Sequence, residues 1–96
     1  MLSREQEQRL FERLGHGDAA ARTRLLTANR TLVRKIASRY RANDKGLSLR
    51  DLVGIGEKGL ERAIEKYDPS SPFKFSTYAS WWIRAGIHRT LGLDDD

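Results

Sequence analysis

Apolar residues recur along this chain at helical spacing, and no stretch alternates with the period of two that a half-buried strand requires. Ser3, with Gln6 three residues on, predicts a capping box that opens a short helix, and Gly15-His16-Gly17 stops it. Asp18 is the next N-cap, ahead of Ala19-Ala20-Ala21 and a long helix running to about Tyr40. Its apolar positions Leu25, Leu26, Leu32, Val33, Ile36, Ala37 and Tyr40 fall within roughly 140° of arc. Asn43-Asp44-Lys45-Gly46 breaks that pattern. Ser48 with Asp51 opens a third helix, striped by Leu49, Leu52, Val53, Leu60, Ala63, Ile64 and Tyr67. Asp68-Pro69-Ser70-Ser71-Pro72 is a rigid turn, because two prolines fix φ and remove donors. Ser76 or Thr77 is expected to cap the last helix, which ends near Leu91 before Gly92 and the three aspartates 94–96. The expected fold is therefore all-α, a compact bundle of four main helices without a sheet. One domain spans 1–96: a leading helical segment (2–17), the main helices (18–91) and an acidic tail (92–96).

Composition narrows the function. The 96 residues carry 18 Lys+Arg against 13 Asp+Glu, a net charge of +5 that favours a polyanionic partner. Its distribution says more: residues 21–47 hold 8 basic and 1 acidic residue, and 69–91 hold 3 basic and none acidic. Two cationic stretches thus flank a near-neutral one, which suggests two surfaces with different partners. The absence of Cys excludes disulfides and thiolate zinc sites, and His16 and His88 are too few and too far apart for a metal centre. No cofactor or metal is expected. Apolar runs are too short to span a membrane, and the opening residues do not resemble a signal peptide, so the expected location is the cytoplasm. Gly54-Ile55-Gly56-Glu57-Lys58-Gly59 spells a dinucleotide-binding string, but inside a helical pattern with no preceding strand, where it has no phosphate to cradle. No nucleophile–base arrangement points to an enzyme.

On the fourth helix Ala79, Ile83, Gly86, Ile87 and Leu91 form the core stripe. Tyr78, Trp81 and Trp82 lie opposite, with Ala85 between them and Arg84, His88 and Arg89 around them. Either these rings pack beneath the second helix, Trp82 first among them, or they form a stacking platform for unstacked bases with cations for the phosphates. Phe73, Lys74 and Phe75 repeat the theme upstream. The third helix turns Asp51, Gly54, Ile55, Lys58, Glu61, Arg62 and Glu65 outward, and Ile55 is expected to be exposed. This face is either a solvated surface with a stray Ile or one that Gly54 opens to another protein's backbone. Gly56 and Gly59 fall near the core side and suit close helix packing. Asn29, in the second helix's apolar stripe, is either a satisfied core amide or a polar group at the mouth of a pocket.

The string Phe73-Lys74-Phe75-Ser76-Thr77-Tyr78-Ala79-Ser80-Trp81-Trp82-Ile83-Arg84 resembles the promoter-reading segment of bacterial sigma-70 family factors. Asp51-Leu52-Val53, Gly56, Gly59-Leu60 and Ala63 through Asp68 resemble the preceding polymerase-binding segment. Asn29, Leu32-Val33 and Ile36-Ala37 through Tyr40 resemble the opening helix of conserved region 2, and residues 2–26 the end of region 1.2. The resemblance implies a non-enzymatic factor that binds core RNA polymerase through the clamp coiled coil of its largest subunit. It also implies melting of the minus-ten element by capture of flipped non-template bases, where a pocket offsets the cost of unstacking. Tyr67, Phe73, Phe75, Tyr78 and Trp81 would border an adenine pocket, with Thr77 among the DNA contacts, and Trp81 and Trp82 would wedge the upstream fork. Lys74, Arg84 and Arg89 would hold phosphates, Ala85 and His88 would face the first base pair, and Asn29 would serve a thymine pocket downstream. Arg50, Asp51, Gly54, Ile55, Glu57, Lys58 and Glu61 would face the polymerase. An anti-sigma regulator is a further partner the resemblance implies.

The chain also departs from the family pattern. Gly54-Ile55 replaces the usual Gln-Glu, Ala85 and His88 replace the usual Gln and Thr of primary factors, and the loop around Asn43–Lys45 is longer. These departures keep a second reading open: a stand-alone or split sigma-like protein acting mainly as a polymerase-binding module with weak DNA reading.

Overall fold

The computed structural model describes residues 2–93; the aspartates of the expected tail lie outside them. Five helical segments occur in chain order: α1 (Arg4–Gly15), α2 (Ala19–Ala28), α3 (Arg30–Ser38), α4 (Leu49–Lys66) and α5 (Phe75–Leu91), with no strand among the described residues. The fold is all-α, as expected, and α2 with α3 fills the place of the long second helix. The break falls at Asn29 (φ −108°, ψ 9°), whose Nδ2 donates to the Leu25 carbonyl at 2.8 Å. That side-chain bond competes with the backbone ladder, and the chain tightens to an Asn29 N–H to Leu26 carbonyl bond at 3.2 Å.

Capping chemistry starts three helices where the sequence places it. Ser3 and Gln6 cap each other reciprocally at 3.1 and 2.8 Å, and Ser48 and Asp51 do so at 3.1 and 3.0 Å. Asp18 accepts from the Ala20 and Ala21 amides, and Arg13 bonds the same carboxylate at 2.8 Å, which holds it below the usual carboxylate range. The fourth expectation fails: α5 starts at Phe75 with Lys74 as a side-chain-free N-cap, and Ser76 and Thr77 lie exposed in its first turn. Burial of Phe75 decides this boundary, since its ring anchors the helix start in the core with 0% exposure.

The core is one cluster running from Leu10 and Phe11 through Leu25, Val33, Leu52, Leu60 and Ile64 to Ile83 and Ile87. Helices α4 and α5 meet most closely. A Cβ on Gly59 would lie 2.6 Å from the Trp82 carbonyl oxygen, and one on Gly56 would lie 2.9 Å from Val33 Cγ1. These two glycines therefore permit the close packing that the sequence suggested, at the expense of helix propensity. Ile55 departs from expectation. It is half-buried, its Cγ2 standing 3.6 Å from where a Gly86 Cβ would be, because the bare Gly86 backbone leaves a recess on α5.

Candidate nucleic-acid interface

The aromatic side chains arrange themselves in three connected groups. Beneath, Phe11 of α1, Tyr67 at the end of α4 and Phe75 of α5 pack as a triangle, with ring centroids 5.1–5.2 Å apart. Phe75 has no exposed surface, so it serves as floor and support and presents no ring face to a ligand. Above them Tyr67 touches Tyr78 at 5.5 Å and Tyr78 touches Trp82 at 6.3 Å, all three half-buried. Phe73 and Trp81 form the outer pair, 6.0 Å apart and 54% and 50% exposed. The Tyr67 hydroxyl donates to the Phe73 carbonyl, tying the proline turn to the end of α4. Burial and the nearby Glu7 carboxylate push the Tyr67 phenol up, so it stays a neutral donor.

Exposed large apolar side chains are informative when they cluster, since desolvating them favours a partner. Lys74, next to Phe73 in the chain, is exposed, and further along α5 come half-buried Arg84 and exposed Arg89. Thr77 and Ala85 are exposed on the same helix. His88 is half-buried, its Nε2 2.8 Å from the Tyr40 hydroxyl. The rings are thus neither sealed in the core nor fully free: inner edges pack on protein while outer faces remain open.

A pocket of about 600 Å³ lies beside the lower group. The α2–α3 junction, the chain between Tyr67 and the start of α5, and α1 line it, bringing together Asn29, Tyr67, Lys74 and Phe75, which the sequence reading had divided between two sites. Asn29 is half-buried. Its Nδ2 is spent on Leu25, and its Oδ1 accepts no hydrogen bond among the described residues. It is therefore both a backbone-bonded amide and a pocket-lining group.

Sequence reasoning missed the wall made by Leu2 and by Arg4, Glu7, Gln8 and Phe11 of α1. Glu7 is the notable member. Burial raises its carboxyl above the ordinary glutamate value, with Arg4 acting in the opposite direction. A signal was present: Glu7, Leu10, Phe11 and Leu14 share one helical face, so an acid stands where an apolar residue would be expected.

The outer face of α4 is polar and partly self-paired. Arg50, Gly54 and Lys58 are exposed, while Glu57 and Glu61 are half-exposed. Glu57 lies 3.6 Å from Arg30. Asp51 is exposed, with one carboxylate oxygen engaged in the Ser48 cap. Nothing lies within 4 Å of a Cβ on Gly54, so this point of the helix is open to close approach.

A helical bundle with a half-exposed aromatic ladder, flanking cations and no acid in its last helix has the character of a nucleic-acid-binding surface. The family model for Sigma-70 region 2 matches residues 25–92, and the chain belongs to that family. Sigma factors of this kind are non-enzymatic transcription factors whose partners are core RNA polymerase and promoter DNA. All of α1 and the first part of α2 precede the matched segment. No helix among the described residues is long and apolar enough to cross a membrane.

Proposed function

We propose that this domain docks on core RNA polymerase through the outer face of α4 and opens the minus-ten element by capturing non-template bases on α5 and in the adjoining pocket. The supporting observation is the outer pair Phe73–Trp81 above Tyr78 and Trp82, open to solvent in a segment without acids. A base leaving the duplex loses stacking worth a few kcal/mol, and aromatic faces here replace it. Lys74, Arg84 and Arg89 hold the phosphates, and Trp81 with Trp82 abuts the upstream fork. The pocket suits a second extruded base: Asn29 Oδ1 and the Glu7 carboxylate are acceptors for base N–H groups, and Lys74 is a donor at its rim. Polymerase binding places the protein on the nucleoid.

Changing Tyr78 and Trp81 together to Ala removes stacking worth about 1–3 kcal/mol per base, so binding of single-stranded minus-ten DNA with core polymerase should fall at least tenfold. Fluorescence anisotropy measures it, and unchanged affinity overturns the proposal. Gly54-Ile55 on the docking face favours a second reading, a polymerase-binding module with little DNA reading. Initiation from an extended minus-ten promoter by the chain with core polymerase excludes that reading.

A further inference from the structure

Tyr40 lies just beyond α3, far in sequence from α5, yet its hydroxyl is 2.8 Å from His88 Nε2 and its ring meets the imidazole edge-on at 5.3 Å and 74°. The residue is itself pinned. Its N–H donates to the Ala37 carbonyl at 3.0 Å, and its carbonyl accepts from Asn43 Nδ2 at 3.0 Å. Asn43 also bonds the Leu47 carbonyl and accepts from the Lys45 and Leu47 amides, so one amide side chain organises the loop that carries Tyr40. A polar contact this well anchored constrains the imidazole in orientation and in proton position.

We propose that Tyr40 is a positioning residue for His88, fixing the ring so that Nδ1–H is the donor presented to the first, still-paired base pair of the minus-ten element. This rests on the proposed function and on the placement of His88 at that base pair, which the family resemblance implies. A neutral imidazole has one donor and one acceptor nitrogen, and a bond at one decides the role of the other. Among the described residues the phenol O–H has no acceptor besides Nε2; in the proposed arrangement it donates there, which leaves the imidazole proton on Nδ1. Ala85, one turn earlier, carries only a methyl group, which leaves His88 as the hydrogen-bonding side chain of the pair. A donor at this point matches the N7 acceptor of a purine in the major groove.

Long-range nitrogen–proton NMR of His88 in the full chain at neutral pH reads the tautomer directly. The wild type should be protonated at Nδ1, and Tyr40→Phe, which keeps the ring packing, should shift the proton to Nε2. With core polymerase, Tyr40→Phe should weaken binding to a fork-junction DNA roughly three- to tenfold, and have no further effect in a His88→Ala background. Replacing the first-pair purine by its 7-deaza analogue should weaken the wild type to the level of Tyr40→Phe; loss with a neutral phosphate substitute instead assigns the acceptor to the backbone and overturns base reading. An Nε2-protonated wild type, or a tautomer unmoved by Tyr40→Phe, overturns the positioning role. A tautomer shift with DNA binding unaffected by His88→Ala overturns the placement of His88 on DNA, so the two failures are distinct.

Discussion

Gly54 and Gly59 lie on one helix five positions apart, and the same change to Ala should act on them with opposite sign. At Gly54 an added Cβ meets nothing within 4 Å, so Gly54→Ala gains the helix propensity that Gly lacks, about 1 kcal/mol. At Gly59 the same gain is available, but the Cβ would stand 2.6 Å from the Trp82 carbonyl oxygen, 2.9 Å from its carbon and 3.0 Å from Ile83 Cα. Ordinary contact begins at 3.4 Å, and all three atoms are backbone, so no rotamer change relieves the overlap. Helix α5 must retreat, loosening its packing on α4. Overpacking costs about 1–3 kcal/mol, and a 2.6 Å overlap with rigid backbone falls in the upper part of that range, about 2–3 kcal/mol, so after the propensity gain of about 1 kcal/mol Gly59→Ala should lose roughly 1–2 kcal/mol. For a domain of this size that is a fall of roughly 5–15 °C in Tm, against a rise of about 4–8 °C for Gly54→Ala. Thermal melts followed by far-ultraviolet circular dichroism measure both. Because the displaced backbone carries Trp82, Gly59→Ala should also weaken capture of single-stranded DNA. A Gly59→Ala protein as stable as the Gly54→Ala protein would refute the inference that backbone contact at Gly59 sets the α4–α5 spacing.

Glu7→Gln should stabilise the fold at neutral pH. The folded state raises the Glu7 pKa, so ionisation opposes folding; that opposition is absent below the ordinary glutamate pKa of about 4.3 and grows as the pH rises through the folded value. Melts at acid and neutral pH should show a gain only at the higher pH, and an equal gain at both would refute ionisation as its source. Ile55→Glu replaces an apolar contact on Gly86 with the acid usual in the family, so Tm should drop while recovery of core polymerase in a pull-down rises; unchanged recovery places Ile55 outside the docking surface. DNA binding should also weaken steeply as salt rises, since Lys74, Arg84 and Arg89 release counterions from the phosphates. A flat salt response would remove those cations from the interface.

Much of the architecture was legible because its signals are local. Two reciprocal capping boxes, the Asp18 cap and the proline turn require only neighbours within a few residues, and helical periodicity located most of the core stripes. The α5 start was misread because tertiary burial of Phe75 outweighed the capping tendency of Ser76 and Thr77. The break at Asn29 escaped notice because an amide bonding its own helix leaves no periodic trace. The aromatic face was visible as three rings opposite an aliphatic stripe, but their grading into floor, ladder and outer pair depends on what packs behind each ring.

By itself, the order of residues determined an all-α chain, its helix-starting caps at Ser3, Asp18 and Ser48, the cationic aromatic character of its last helix, and the resemblance that named its family. Tertiary structure alone decided that α1 walls the pocket with Glu7, that Ile55 fills the recess at Gly86, and that Tyr40 meets His88. The physical reason is range. Caps and periodic stripes arise from interactions within one or two helical turns, whereas a pocket wall, a recess and a cross-helix hydrogen bond exist only where distant segments are brought together, and there a missing Cβ or one bonded hydroxyl determines what fits.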